Sequence, residues 1–165
     1  ELKDIKIANQ LKLEGKLENT NNFHPKKEIT RSDLAKYIVK INKITPKRNQ
    51  NVTFKDLNNN NKNYAFIQNA ISNKLLNGLS KTTFAPNKKV TKLQAIIVAS
   101  RLLPDSEKYN NIKLPYKDIN KYKWATTSLK KAYYYKIISK STKLNPKKNI
   151  SNAEIVSLLY KTSKI

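Results

Sequence analysis

Few side chains in this 165-residue chain could perform acid–base or nucleophilic chemistry. The only histidine, His24, lies between Phe23 and Pro25. That is a loop setting, whereas a catalytic base needs a fixed partner. There is no cysteine, so disulfides, thiol catalysis and zinc–thiolate sites are excluded. The 11 carboxylates are dispersed, and no phosphate loop or metal-ligand spacing occurs. No enzyme, cofactor or metal site is expected. Cation is in excess: 34 Lys plus Arg give a formal net charge of +23. Such a field draws polyanions, and the chemistry it offers is anion binding. Nucleic acid, acidic glycans and anionic membranes all qualify. Only Arg31, Arg48 and Arg101 are arginines, and the chain is also rich in Asn and Ile. Lys, Asn and Ile share AT-rich codons, so charge alone does not choose the ligand.

These cations are carried on a repeated framework. Three segments align: Phe23-His24-Pro25 through Ile29-Thr30-Arg31-Ser32-Asp33, Phe84-Ala85-Pro86 through Val90-Thr91-Lys92-Leu93-Gln94, and Leu144-Asn145-Pro146 through Ile150-Ser151-Asn152-Ala153-Glu154. Their prolines lie 61 and 60 residues apart. Repetition at this period marks an array of equivalent units. Thr30, Thr91 and Ser151 are N-cap residues whose side-chain oxygens accept from unpaired helix N–H groups. Gln94 and Glu154 stand where they close capping boxes, and Asp33, one methylene shorter, reaches less well. Ile29, Val90 and Ile150 precede the caps and face Leu34, Ala95 and Ile155 as hydrophobic staples. Apolar residues then continue at helical spacing: Leu34, Ala35, Ile38 and Ile41; Ala95, Ile96, Ala99, Leu102 and Leu103; Ile155, Val156, Leu158 and Leu159. Pro46 and Pro104 stand beyond the first two helices as stop signals.

Another helix precedes each of these. It carries Ile5, Ala8 and Leu11 to Leu13 in the first copy; Ile67, Ala70, Ile71, Leu75 and Leu76 in the second, with Gly78 as its C-cap; and Trp124, Ala125, Leu129, Ala132, Ile137 and Ile138 in the third. Lys12, Lys74 and Lys136 recur at one position of it. Its lead-in is Phe54-Lys55-Asp56-Leu57-Asn58 or Tyr116-Lys117-Asp118-Ile119-Asn120. Leu2-Lys3-Asp4-Ile5 is similar but out of register, so the first lead-in is missing or divergent. The repeats span 1–45, 52–104 and 114–165, with polar, Pro-containing linkers near 43–53 and 104–115. No run of 18 apolar residues spans a membrane. Glu1-Leu2-Lys3-Asp4 opens no signal peptide, as in a mature protein or an excised part of a larger surface protein.

This order of motifs resembles the S-layer homology (SLH) module. The matching residues are Asp118 with Trp124-Ala125, Leu75-Leu76 with Gly78, Phe23 and Phe84 before Pro25 and Pro86, and Ile29-Thr30-Arg31-Ser32-Asp33. The resemblance implies a mostly all-α fold of three repeats forming a single-chain pseudo-trimer, with a central three-helix bundle and three lobes. It implies a module outside the bacterial cell, in the cell wall or S-layer. Its partner would be an acidic wall glycan held in grooves between repeats, a secondary cell-wall polysaccharide that often bears a pyruvyl ketal.

Within that resemblance Arg31 and Lys92 occupy the groove-lining arginine position, and uncharged Asn152 fills the third. A first-turn cation opposes the helix dipole, whereas an anion shared with the helix N-terminus would favour it. The forked guanidinium suits a carboxylate better than an ammonium does, which ranks the Arg31 groove first. Trp124 is a groove wall or a packing residue. Asp56 and Asp118 accept from sugar hydroxyls or cap the following turn. Gly78 allows close ligand approach or serves as the C-cap. Lys12, Lys74 and Lys136 stand where the family pattern usually has glycine. Two other readings remain: degenerate repeats used for assembly or direct peptidoglycan binding, and nucleic-acid binding through Tyr133-Tyr134-Tyr135 and neighbouring lysines. The second is disfavoured because consecutive tyrosines on a helix diverge in direction.

Overall fold

The computed structural model describes residues 2–10, 24–47 and 53–165. Expectations for Lys12, Leu11 to Leu13 and Phe23 lie outside these residues. The described chain is mostly helical and contains no sheet. Its α-helices are α1 (Leu2–Gln10), α2 (Arg31–Ile41), α3 (Tyr64–Ser72), α4 (Lys92–Ser100), α5 (Thr126–Tyr134) and α6 (Asn152–Thr162). Short 3₁₀ turns cover Glu107–Tyr109 and Asn120–Ala125.

Helices α2, α4 and α6 begin by one device. Thr30, Thr91 and Ser151 each accept from the third helical N–H, and Asp33, Gln94 and Glu154 each accept from the cap's own N–H. Asp33 therefore closes its box despite its shorter side chain. Thr30 N donates to Asp33 Oδ2 at 3.0 Å, and Thr30 Oγ1 donates to the same oxygen at 2.8 Å. Each cap stabilises its helix by about 1 kcal/mol. The staple residues Ile29, Val90 and Ile150 are buried, as are Leu34, Ala95 and Ile155.

The three helix starts are joined in a ring. Ile29 N donates to Ile150 O, Ile150 N to Val90 O, and Val90 N to Ile29 O, at 2.9–3.2 Å. The first two N–H groups of each capped helix reach carbonyls of a neighbouring repeat's proline turn. Arg31 and Ser32 donate to Lys88 O and Pro86 O, Lys92 and Leu93 to Lys148 O and Pro146 O, and Asn152 and Ala153 to Lys27 O and Pro25 O. The donors left unpaired at a helix start are thus consumed between repeats. Helix packing follows the same cycle: α2 lies on α3, α4 on α5, and α6 on α1. Each capped helix packs on the first helix of the following repeat, and the last returns to the first. Ile5, Ile7 and Ala8 of α1 are buried in one core shared with all three capped helices.

The first helices of the second and third repeats are shorter than the sequence suggests. Helices α3 and α5 stop at Ser72 and Tyr134, and Leu75, Leu76, Ile137 and Ile138 lie beyond them. The stops are Lys74 and Lys136, which take left-handed φ of 57° and 56°. Glycine adopts that conformation without a Cβ penalty, which is the physical reason for the glycine that the resemblance led us to expect here. The C-cap role expected of Gly78 therefore belongs to Lys74, and Gly78 has no positive φ. Gly78 makes room instead, because a Cβ there would stand 2.6 Å from Phe54 Cε1 and from Ser80 O. In the third repeat, Trp124 and Ala125 sit in the 3₁₀ turn ahead of α5, not inside the helix.

Candidate functional site

Each proline turn is held in one unusual conformation. His24, Ala85 and Asn145 all have φ between 48° and 58°, left-handed positions directly before proline. Asp56 Oδ1 and Oδ2 accept from Phe84 N and Ala85 N at 2.9 and 2.6 Å. Asp118 accepts from Leu144 N and Asn145 N, both at 2.8 Å. These aspartates therefore clamp a turn 26–29 residues downstream, rather than capping the turn that follows them. Partial burial works against both carboxylates, but the paired N–H donors outweigh it and hold them below the usual carboxylate range. Arg31 adds to the effect at Asp56, and Lys143 at Asp118.

Arg31 is buried, at 6% exposure. Its Nε donates to Phe84 O at 2.8 Å and its Nη2 to Asn77 O at 2.7 Å. The guanidinium lies 4.7 Å from the centroid of the Phe84 ring, within cation–π range. Phe84 in turn packs against Phe54 at 5.7 Å, in the space that Gly78 leaves. Desolvation lowers the Arg31 pKa, and Asp56 opposes that shift. At the junction of the first and second repeats the cation at the helix start is thus packed against protein carbonyls and the Phe84 ring. The N–H groups at the start of α2 are also paired, so the shared anion at this helix N-terminus expected from sequence has no free backbone donors to meet.

The junction of the second and third repeats is built differently. Lys92 makes no side-chain hydrogen bond or ion pair among the described residues. It borders a cleft of about 530 Å³, lined also by Tyr116, Lys143, Glu154, Ser157 and Lys161, with Ile137 and Leu158 as apolar surface. Several matching positions are exchanged here, among them Arg31 for Lys92 and Phe84 for Leu144. Tyr116 corresponds to Phe54, and Ser139 corresponds to Asn77. Tyr116 Oη donates to Ser139 O at 2.7 Å, satisfying the carbonyl whose counterpart takes Nη2 of Arg31. Burial first, then the neighbouring Tyr133, pushes the Tyr116 phenol up to about 12. At the third junction Asn152 accepts from Tyr37 Oη at 3.1 Å and donates from Nδ2 to His24 O at 3.3 Å.

The six residues singled out from sequence are therefore dispersed. Arg31 and Gly78 belong to the packing around Phe84 and Phe54, and Asp56 clamps the turn that carries Phe84. Lys92 borders the open cleft. Asp118 clamps the turn beside that cleft, and Trp124 is 71% exposed outside its lining. Sequence reasoning missed Tyr116, Lys143, Ser157 and Lys161. The readable signal was the exchange of Phe54 for Tyr116 between otherwise matching lead-ins.

The S-layer homology domain family matches residues 53–96 and 115–156, more than half of the chain, and the chain belongs to that family. Domains of this family are non-catalytic binding modules that anchor proteins to cell-wall glycans at the cell surface. No curated protein matches the chain. No helix among the described residues is long and apolar enough to cross a membrane.

Proposed function

We propose that the chain is a three-repeat wall anchor, a single-chain pseudo-trimer whose first repeat is the divergent one. It attaches a larger extracellular surface protein by holding an acidic secondary cell-wall polysaccharide in the Lys92 cleft. The observation that carries this reading is the cleft itself: about 530 Å³ of open space at a repeat junction, bordered by Lys92, Lys143 and Lys161. An ammonium group without a protein partner among the described residues, Lys92, beside two further lysines and an apolar wall suits a sugar that carries a carboxylate, such as a pyruvyl ketal. Glu154 is also on the wall and can accept from a sugar hydroxyl. Our ranking of the grooves therefore reverses the order expected from sequence. Arg31 has the better carboxylate geometry, but its Nε and Nη2 are already bonded to protein carbonyls. The Lys92 cleft is therefore the principal site, and Arg31 supports the fold.

The test is co-sedimentation with purified cell-wall sacculi, before and after acid removal of the attached polysaccharide. Binding is expected to fall on stripping. Lys92→Ala is expected to lower affinity for the released polysaccharide about tenfold, as loss of one charge-assisted contact of ~1.5 kcal/mol would, with no change in folding. Full binding to stripped peptidoglycan would overturn the polysaccharide reading in favour of a direct peptidoglycan binder.

A further inference from the structure

The chain holds one Asn-Gly pair, Asn77-Gly78. Such pairs commonly serve tight turns that need a positive φ. Here neither residue has one. Gly78 is needed for space, because a Cβ would meet Phe54 and Ser80 O. Asparagine before it is not needed by the fold, since the matching pair in the third repeat is Ser139-Lys140. The Asn77 side chain is exposed, and its carboxamide makes no hydrogen bond among the described residues.

The peptide bond between the two residues is polarised. Its oxygen, Asn77 O, accepts from Arg31 Nη2 at 2.7 Å. Its N–H, on Gly78, donates to no acceptor among the described residues. A cation bonded to an amide oxygen draws the nitrogen lone pair toward that oxygen, which makes the N–H more acidic. Arg31 is buried and also held through Nε on Phe84 O, so the cation is fixed in the folded state. An acidified, unbonded amide nitrogen thus stands next to a free carboxamide. Glycine leaves that nitrogen unhindered, because it carries no Cβ.

We propose that Asn77-Gly78 is a self-modification site, which the folded chain converts to isoaspartate with help from Arg31. The Gly78 nitrogen loses its proton and bonds to Asn77 Cγ. The Cγ–Nδ2 bond breaks, and the departing nitrogen takes up a proton and leaves as ammonia. Water then opens the cyclic imide. Its attack on the former Asn77 carbonyl carbon breaks that carbon's bond to the Gly78 nitrogen, which regains a proton. Arg31 polarises this carbonyl, so attack here is favoured over attack at Cγ. The product carries its new carboxylate beside the guanidinium, and the main chain runs through Cγ, one methylene longer. Neither residue lines the Lys92 cleft, so the inference does not depend on the ligand of that cleft.

The test incubates the full chain at mildly alkaline pH and follows the tryptic peptide from Leu75 to Lys81 by mass. Methyl labelling with an isoaspartyl methyltransferase counts isoaspartate. Loss of ammonia at Asn77 is expected to be faster in the native chain than in the same chain unfolded in urea, with a larger share of isoaspartate among the products. Arg31→Gln keeps a donor but removes the charge. It is expected to slow the native reaction about tenfold, the rate equivalent of a charge-assisted over a neutral hydrogen bond, while Lys92→Ala leaves the rate unchanged. Urea midpoints establish that the variants fold; should Arg31→Gln not fold, the native and unfolded rates of the parent chain decide. A native rate equal to or below the unfolded one would overturn the proposal. So would an unchanged rate in folded Arg31→Gln.

Discussion

The Arg31 and Lys92 junctions have matching backbone contacts and use their cations differently. At both, the capped helix donates its first two N–H groups to the next proline turn, and an aspartate holds that turn from the far side. At the first, Phe54 offers no hydroxyl, so Arg31 reaches in, satisfies Asn77 O and closes the space over Phe84. At the second, Tyr116 satisfies Ser139 O itself, and the cation at the helix start is left at the edge of an open cleft. The type of cation, the ring opposite it and the hydroxyl on the lead-in aromatic together decide whether a cation serves packing or stays available. Equivalence of fold between repeats therefore does not carry equivalence of site.

The largest expected effect comes from emptying the packing around Phe84. Phe84→Ala removes a fully buried ring and should cost about 3–5 kcal/mol in urea denaturation. Arg31→Ala strands two carbonyls and should cost about 2–4 kcal/mol, whereas Lys92→Ala should stay within about 0.5 kcal/mol. Equal costs for Arg31→Ala and Lys92→Ala would remove the contrast. A double-mutant cycle sharpens it. Phe54→Tyr should recover part of the loss in Arg31→Lys, with a coupling of roughly 1 kcal/mol, because the new hydroxyl can reach Asn77 O.

Gly78→Ala forces a Cβ against Phe54 and Ser80 O, and should cost about 1–3 kcal/mol. Acid provides a milder test of the clamps. Asp56 and Asp118 have folded pKa values below their unfolded ones. Their contribution is complete above the unfolded value of about 4 and is lost as pH falls through the lower folded value. Asp56→Asn should flatten the loss of stability below about pH 4, visible in denaturation midpoints taken from pH 7 to pH 2. The smallest effect expected is a gain. Lys136→Gly relieves a left-handed lysine and should add up to about 1 kcal/mol, read as a raised urea midpoint.

Much of the local structure was legible in the residues. A hydroxyl followed three positions later by Asp, Gln or Glu, with an apolar residue on either side, specifies a helix start within seven residues. All three starts formed as that pattern requires. The recurrent lysine at a glycine position was also visible, but its effect was not. Lys74 ends its helix in a left-handed conformation, so the apolar pair after it leaves the helix, and Gly78 is released to make room for Phe54. Propensity scales place lysine inside helices, which is why the ends of α3 and α5 were set too late. The aspartate clamps were hidden for another reason: their acceptors and donors lie 26–29 residues apart, beyond any local rule.

By itself the sequence determined the repeat, the capped helices, the buried apolar faces and the excess of cation. These depend on contacts within one helical turn or on composition, and short-range patterns record them fully. Only the tertiary structure decided which cation is spent inside the protein and which faces a cleft. It also decided that the last capped helix closes on the first helix of the chain. Those outcomes follow from hydrogen bonds and packing between repeats about 60 residues apart, which no local pattern records.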